Sequence, residues 1–242
     1  MEADLRERPG RKCEKLNGDI RFENLFNPQL ALESLPYVLS GMGYTLILSL
    51  LTMGVGLVLG LVTAMARMSR RVLLRWPARA YISVIRGTPL LVQLFILFYG
   101  LPVIGITLDP ITAAVIGLSL NVGGYSAETI RGAVSSISKG QWEAAKSLNM
   151  TYLQTMRRIV IPQSVRVALP PLANTFLSLV KDTALLSVIT VPEMLYRAKI
   201  VGGSTLDYMT PYLLVALLYW VICTILNALN ERLEKRYGRF AS

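Results

Sequence analysis

The chain lacks histidine altogether and has few charged residues. None of its 242 residues is a histidine, and Asp, Glu, Lys and Arg together make up 17%. This composition excludes catalysis by a histidine base and any metal site with a histidine ligand. The two cysteines, Cys13 and Cys223, do not stand at a metal-ligand spacing. The glycine-rich lysine motif that binds ATP phosphates is also missing, so an ATP-driven activity requires a second chain to bind the nucleotide.

Apolar residues are abundant. They account for 53% of the chain, and the mean hydropathy is +0.48. A soluble domain of this length rarely combines so much apolar content with so few charges, so the composition predicts an all-α integral membrane protein. The net charge of +10 falls in loops that alternate along the chain. That distribution is typical of membrane topology, and we expect no nucleic-acid partner.

Apolar runs predict five transmembrane helices with the N-terminus outside. Residues 1–36 form a polar tail, and a transmembrane domain is expected over residues 37–238. The stretch 67–79 carries five arginines and no acid, and the loop 131–168 carries six basic residues and one acid. Both are therefore predicted to be cytoplasmic. The spans are expected at 37–66, 90–106, 111–127, 169–190 and 209–228.

Two short helices are predicted inside the loop 131–168. Asn149 separates them, because asparagine tolerates the left-handed conformation that stops a helix. Pro162 is expected to end the second helix. One face of the pair is apolar and the other is basic. Each helix start is marked by two residues at capping-box spacing, Ser138 with Gln141 and Thr151 with Gln154.

A spaced set of residues in this loop carries a family resemblance. The set is Glu143, Ala144, Ala145, Asn149, Ile159, Ile161 and Pro162. These spacings resemble the cytoplasmic signature of importer-type ABC permeases, in which Glu-Ala-Ala precedes a glycine and a later Ile-x-Leu-Pro. Asn149 replaces the glycine and Ile161 replaces the leucine, and both replacements keep the physical role of the residue.

The resemblance implies a set of partners. In that family this loop holds the coupling helix, which seats in a cleft of an ATP-hydrolysing subunit. The chain would then be a multi-pass protein of the cytoplasmic (inner) membrane, surrounded by lipid and assembled with two ATP-binding subunits, a second permease that is identical or paralogous, and a solute-binding protein. ATP and magnesium would bind to the partner ATPase, with no cofactor on this chain. The alternative is an ordinary amphipathic helix pair that packs on the chain's own inner face.

Four charged side chains lie at or near membrane depth, where each costs about 2.5–3.5 kcal/mol. Lys181 and Asp182 are expected to contact the solute. Arg86 and Glu128 lie nearer the inner face, where gating or structural roles are expected. Two positive and two negative charges would suit a zwitterionic solute, and they would equally suit salt bridges between helices or subunits.

Three uncharged polar side chains occur in the same spans. Gln93 interrupts an otherwise apolar run, and Asn121 and Tyr125 lie in the inner half of the third span. They are candidates for a solute pathway. The alternative for each is a hydrogen bond to a neighbouring helix.

Further segments resemble particular classes of ABC permease. RGTPLLVQ, ALPPLANTF and SLVKDTALL resemble permeases for polar amino acids, and QWEAA, QTMRR and RVALPPL look most like permeases for cystine and related amino acids. The expected function is therefore that of the membrane subunit of an ATP-driven amino-acid importer, coupled to its ATPase through residues 143–162. The alternatives are a channel or proton-coupled carrier without an ATPase, in which the four charges form a relay, and a membrane scaffold without transport.

Overall fold

Helices account for all regular structure in the part of the chain that the structure describes. The computed structural model describes residues 26–237, with side chains to residue 232. The α-helices are α1 (Pro28–Leu39), α2 (Met42–Met68), α3 (Val72–Gly87), α4 (Leu90–Phe95), α5 (Pro110–Ser135), α6 (Lys139–Ser147), α7 (Tyr152–Thr155), α8 (Ile161–Asp182), α9 (Met194–Thr205) and α10 (Met209–Tyr237). Helix α4 continues through a π-helical turn (Ile96–Gly100) and a 3-10 helix (Leu101–Ile104), a π-helical turn (Met156–Val160) joins α7 to α8, and a 3-10 helix (Thr183–Ile189) follows α8.

Helix α5 lies at the centre of the bundle. Asp109 caps it by accepting the backbone N–H of Thr112 at 2.9 Å. Pro110 occupies its first turn, where a missing N–H costs nothing. Many α5 side chains are small and buried, and α2, α3 and α8 pack around them. The largest apolar cluster forms here, with Leu118 of α5 and Leu48 of α2 both buried.

Two glycines of α2 bring that helix close to α5. A Cβ added at Gly56 would lie 2.6 Å from the Cβ of Val122, and one added at Gly60 would lie 2.7 Å from the Cβ of Ser126. A side chain at either position would overlap α5, so the two helices meet almost backbone to backbone. Gly54, by contrast, faces open space. Glycine thus allows close helix approach at Gly56 and Gly60 but is not required for it at Gly54.

The predicted helical class is confirmed, whereas the number of spans is not. Within residues 26–237, three stretches are long and apolar enough to cross a membrane: 28–68, 152–189 and 209–232. A fourth arises if α3 and the helical stretch Leu90–Ile104, which are bent by 106° from each other, form one broken span. Helix α5 is not among them, because glycine, serine and asparagine replace large apolar residues along it. Five spans and an external N-terminus stay predictions.

Helical structure begins earlier than the sequence predicted. Residues 1–36 were expected to be a polar tail, yet α1 begins at Pro28 and packs against α9 and α10. Asn27 caps α1 by accepting two backbone N–H groups of its first turn. The backbone N–H of Asn27 donates to the hydroxyl of Thr210 at 3.0 Å. Only residues 1–25 of the expected tail lie outside the described part of the chain.

The prediction that Pro162 ends a helix is wrong. The chain runs from α7 through the π-helical turn Met156–Val160 into α8, and Pro162 lies in the first turn of α8. The N–H of Ile161 bonds to a carbonyl five residues back, and this wider turn accommodates a ring that would otherwise collide with the carbonyl four residues earlier. Pro170 and Pro171, expected at the start of the fourth span, also lie inside α8.

The predicted loop 131–168 overlaps two long helices. Helix α5 runs to Ser135 and α8 begins at Ile161, so the connection between them is shorter and consists mainly of α6 and α7. Glu128, expected at the end of the third span, lies inside α5. The connection therefore passes into α8 without a break, whereas the non-helical residues 136–138 separate it from α5.

Replacing Gly56 with alanine tests the contact between α2 and α5. The added methyl group would overlap the Cβ of Val122, which no rotamer change can move, so we expect the free energy of unfolding to fall by about 1–3 kcal/mol. Gly54→Ala is the matched control, because its methyl group would meet nothing within 4 Å. Thermal unfolding in detergent compares the two variants, and equal midpoints would contradict a close approach at Gly56.

Candidate functional site

A tight turn joins the two helices of the connection between α5 and α8. Asn149 adopts the left-handed conformation with φ of 52°, as predicted. The predicted capping box at Thr151 forms: its hydroxyl accepts the N–H of Gln154 at 3.3 Å, and the Gln154 side chain accepts the N–H of Thr151 at 2.9 Å. The box predicted for Ser138 and Gln141 does not form, because the Ser138 side chain makes no capping hydrogen bond.

The turn exposes three large apolar side chains. Leu148 is 75% exposed, Tyr152 is 72% exposed and Leu153 is 74% exposed. The ring of Tyr152 stacks on that of Trp142, with centroids 6.0 Å apart and 23° between the planes. We call Leu148, Tyr152 and Leu153 the docking turn. Apolar side chains grouped on an otherwise polar surface are typical of a surface that a partner covers.

The residues of the predicted coupling signature differ in burial. Ala145 is 1% exposed and anchors α6, and Ile159 is half-buried. The exposed members are Glu143, Ala144, Asn149, Ile161 and Pro162. Glu143 makes no ion pair within the described residues. The signature therefore has a part that holds the turn in place and a part that is open to a partner.

A cavity of about 660 Å³ lies between α4, α5 and α8. Its polar lining includes Asn121 and Thr129 of α5 together with Asn174, Ser178 and Asp182 of α8. Among the described residues that line it, Asp182 is the one with a charge. The volume falls within the usual range for small-molecule sites, and side-chain amides, hydroxyls and a carboxylate supply both donors and acceptors.

Three of the five predicted pathway residues line this cavity, namely Asn121, Tyr125 and Asp182. Gln93 lies instead at the break between α3 and α4. Its side-chain amide donates to the carbonyls of Ile85 at 2.9 Å and Thr88 at 3.2 Å. These bonds satisfy backbone acceptors that the broken helix leaves free. Lys181 is exposed and is not part of the cavity lining.

The two charges predicted to have gating or structural roles both have partners. The guanidinium of Arg86 lies 5.3 Å from the centroid of the Tyr125 ring, a cation–π contact. Glu128 accepts a hydrogen bond from Nε of Arg131 at 2.8 Å, and it lies 3.8 Å from Nε of Arg67 on α2. Arg86 thus contacts a residue of the cavity, and Glu128 connects α5 to α2.

Sequence reasoning missed a buried carboxylate at the start of α9. Glu193 is fully buried and accepts the backbone N–H groups of Leu195 at 2.8 Å and Tyr196 at 2.6 Å. The hydroxyl of Tyr219 on α10 also donates to it at 3.0 Å. Burial raises the pKa of Glu193 to about 7, against the opposing effect of these donors. The one sequence signal was an acidic residue just before a helical stretch, and glutamate is not a preferred N-cap.

A helical bundle with stretches long and apolar enough to cross a membrane, a polar cavity and an apolar docking turn on a polar loop is typical of a multi-pass membrane transport subunit. Residues 56–239 match the model of the family described as the binding-protein-dependent transport system inner membrane component. The chain belongs to this family of ABC permeases.

Curated relatives and a solved structure agree with this assignment. The chain is 55% identical over 221 residues to the probable amino-acid ABC transporter permease protein YckA of Bacillus subtilis (strain 168), covering 91% of this chain and 98% of that one. It is 46% identical over 208 residues to the L-cystine transport system permease protein TcyB of the same organism, covering 86% and 89%. The crystal structure of an amino acid ABC transporter with histidines matches with a TM-score of 0.82 and 37% identity, covering 85% and 96%.

Replacing Glu193 tests its role in holding α9 against α10. Glu193→Ala removes the helix cap and leaves the Tyr219 hydroxyl without its acceptor, so we expect a loss of about 2–4 kcal/mol in the free energy of unfolding. Glu193→Gln keeps an acceptor of the same shape and should cost about 1 kcal/mol. Thermal unfolding in detergent measures both, and equal losses would contradict a hydrogen-bonding role.

The same glutamine variant tests the protonation of Glu193. With its pKa raised from 4.5 to about 7, the folded chain holds a proton between these pH values that the unfolded chain has released. The stability contributed by this proton is present below pH 4.5 and is lost as the pH rises through 7. We expect the stability of wild type relative to Glu193→Gln to fall from pH 5 to pH 8. A constant difference would mean that Glu193 is ionised throughout.

Proposed function

We propose that this chain is the membrane subunit of an ATP-driven importer that moves an amino acid, cystine or a related one, into the cytoplasm. The observation that carries the proposal is the docking turn, whose apolar side chains are exposed beside Asn149 within the coupling signature. An ATP-binding subunit with an apolar cleft is the partner that this surface suits. ATP and magnesium bind to that partner, and this chain carries out no covalent chemistry.

The helices around the docking turn favour transmission of a rigid movement. Helix α7 passes through the π-helical turn into α8 without a loop, and α8 carries Asp182 and one wall of the cavity. A displacement of the docking turn would therefore move that wall. When two ATPase subunits close on ATP, they would carry two docking turns inward and change the access of the cavity. This requires a second permease chain, identical or paralogous, and a solute-binding protein on the other side.

The chemistry of the cavity suits a zwitterionic amino acid. The carboxylate of Asp182 can accept charge-assisted hydrogen bonds from an ammonium group. The side-chain amides of Asn121 and Asn174 can donate to a carboxylate, and both line the cavity. The L-cystine permease TcyB, 46% identical to this chain, supports cystine as the solute to test first.

Substitution of Asp182 tests the cavity as the solute site. In the assembled importer, Asp182→Asn should raise the KM for cystine uptake about 10- to 100-fold, because a hydrogen bond to a charged group contributes about 1.5–3 kcal/mol. Lys181→Gln is the matched control: it removes a charge from the adjacent residue, which does not line the cavity. Labelled cystine uptake at equal expression measures both. An equal effect of the two substitutions would contradict the assignment.

Substitution in the docking turn tests the coupling. Leu153→Glu places a charge on an apolar contact surface, and we expect recovery of the ATP-binding subunit with the tagged chain to fall at least about tenfold. Glu143→Arg reverses the one acidic charge of the loop 131–168 and should also lower the recovery of the ATP-binding subunit. Leu206→Glu is the control, because Leu206 is 83% exposed and lies between α9 and α10, away from the docking turn. Undiminished recovery with Leu153→Glu would exclude the docking turn as the contact.

A further inference from the structure

Four arginines form one basic surface at the start of α3. Arg70 and Arg71 directly precede the helix, and Arg75 and Arg79 follow within it. The spacing of four residues from Arg71 to Arg79 places three of them along one side of the helix. Arg75 is half-buried and the other three are exposed. We call these four residues the basic flank.

The basic flank has no counter-charge in the described chain. The sequence contains no acidic residue between Glu33 and Asp109, and the ion pairs among the described residues are both made by Glu128 with other arginines. The Nε atom of Arg75 is shielded from solvent and has no hydrogen-bond partner among residues 26–237. A buried donor without an acceptor is costly, so these observations point to an acceptor from outside the described residues.

A second side of α3 is apolar and exposed. Leu73 is 89% exposed, Trp76 is 66% exposed and Val84 is 60% exposed. The third side packs against α2 and α5 through Ala78, Ile82 and Ile85. The helix is bent by 106° from the helical stretch that follows it. A helix with a basic side, an apolar exposed side and a sharp angle to an apolar stretch is typical of one that lies in the membrane interface.

We propose that the basic flank binds the phosphate of an anionic phospholipid in the cytoplasmic leaflet. The planar guanidinium group matches phosphate oxygens in pairs. A lipid satisfies both exposed sides of α3 at once, because Leu73 and Trp76 then lie among acyl chains while the arginines meet headgroups. A soluble subunit on the arginines would leave these apolar side chains in water. Each arginine near an anionic surface contributes about a fivefold increase in partitioning.

The proposed lipid would act on the same helix that reaches the cavity. Arg86, at the other end of α3, lies over the ring of Tyr125, which lines the cavity. A headgroup held at Arg75 and Arg79 would fix the position of α3 against the membrane surface. The lipid would hold the start of α3, whereas the end of α3, next to the break at Thr88, contacts the cavity. It is thus expected to support the geometry of the cavity through the helix.

Retention of lipid by the purified full-length chain, assembled with its partner subunits, tests the proposal. The probes are phosphatidylglycerol and phosphatidylcholine, supplied in equal amounts and quantified by mass spectrometry after detergent exchange. The variant carries glutamine at the four positions of the basic flank. The matched control loses four positive charges elsewhere, by glutamine substitution of Lys139, Lys181, Lys199 and Arg232, which are all exposed and lie outside residues 143–162.

We expect retained phosphatidylglycerol to fall at least about tenfold in the basic-flank variant, with phosphatidylcholine unchanged and the control like wild type. Equal loss in the variant and the control would show an effect of total charge and overturn the proposal. Unchanged phosphatidylglycerol would also overturn it, and so would loss of the ATP-binding subunit with full lipid retention, which would assign the arginines to a protein contact.

Fluorescence of Trp76 gives a second measurement that needs no arginine variant. The emission of Trp76 is the difference in emission between wild type and Trp76→Phe. In vesicles of equal composition, brominated phosphatidylglycerol should quench this emission at least about twofold more than brominated phosphatidylcholine does. Trp76 is 66% exposed and lies one residue after Arg75, within reach of the acyl chains of a lipid held there. Equal quenching by the two lipids would contradict selective binding at α3.

Discussion

Close backbone contact between α2 and α5 is the interaction on which the rest of the membrane domain depends. In a bilayer the lipid tails are as apolar as leucine, so helices associate through close packing and polar contacts more than through the hydrophobic effect. At Gly56 and Gly60 the two helices meet with no room for a side chain between them. Helix α5 is thereby held in place, and it presents Asn121 and Tyr125 to the cavity shared with α4 and α8.

Interrupted helices carry most of the features that bear on function. Backbone groups freed at a break need a partner at membrane depth, and side chains supply it. Gln93 bonds to carbonyls at the break between α3 and α4, and Glu193 accepts the first N–H groups of α9. Gln93 was a candidate for the solute pathway, yet its hydrogen bonds are to the protein itself, as are those of Glu193. The cavity is supported by the bonds of Gln93, because Thr88 and Leu90 at the same break line the cavity.

The turn at Asn149 and the capping box at Thr151 were predictable from the sequence. Features that depend on how a helix is oriented in the bundle were not. Each of these two features involves only a few neighbouring residues, and both are present in the structure. The role of Pro162 was mispredicted, because a π-helical turn is not visible in a hydrophobic pattern. Lys181 and Asp182 are adjacent, yet only Asp182 lines the cavity, since the orientation of α8 is set by tertiary packing. Helix α5 is central in the structure but has low hydropathy, because glycine, serine and asparagine replace large apolar residues along it. The same small residues let neighbouring helices pack closely against it.

The central claim is that ATP hydrolysed by a partner chain drives an amino acid through a pathway formed by this one. Uptake of labelled cystine into proteoliposomes that contain the assembled importer and its solute-binding protein tests this most directly. The account predicts uptake that requires ATP on the side of the docking turn, stops with a non-hydrolysable analogue and persists when a protonophore collapses the proton gradient. Uptake driven by a proton gradient in vesicles that lack the ATP-binding subunit would contradict it.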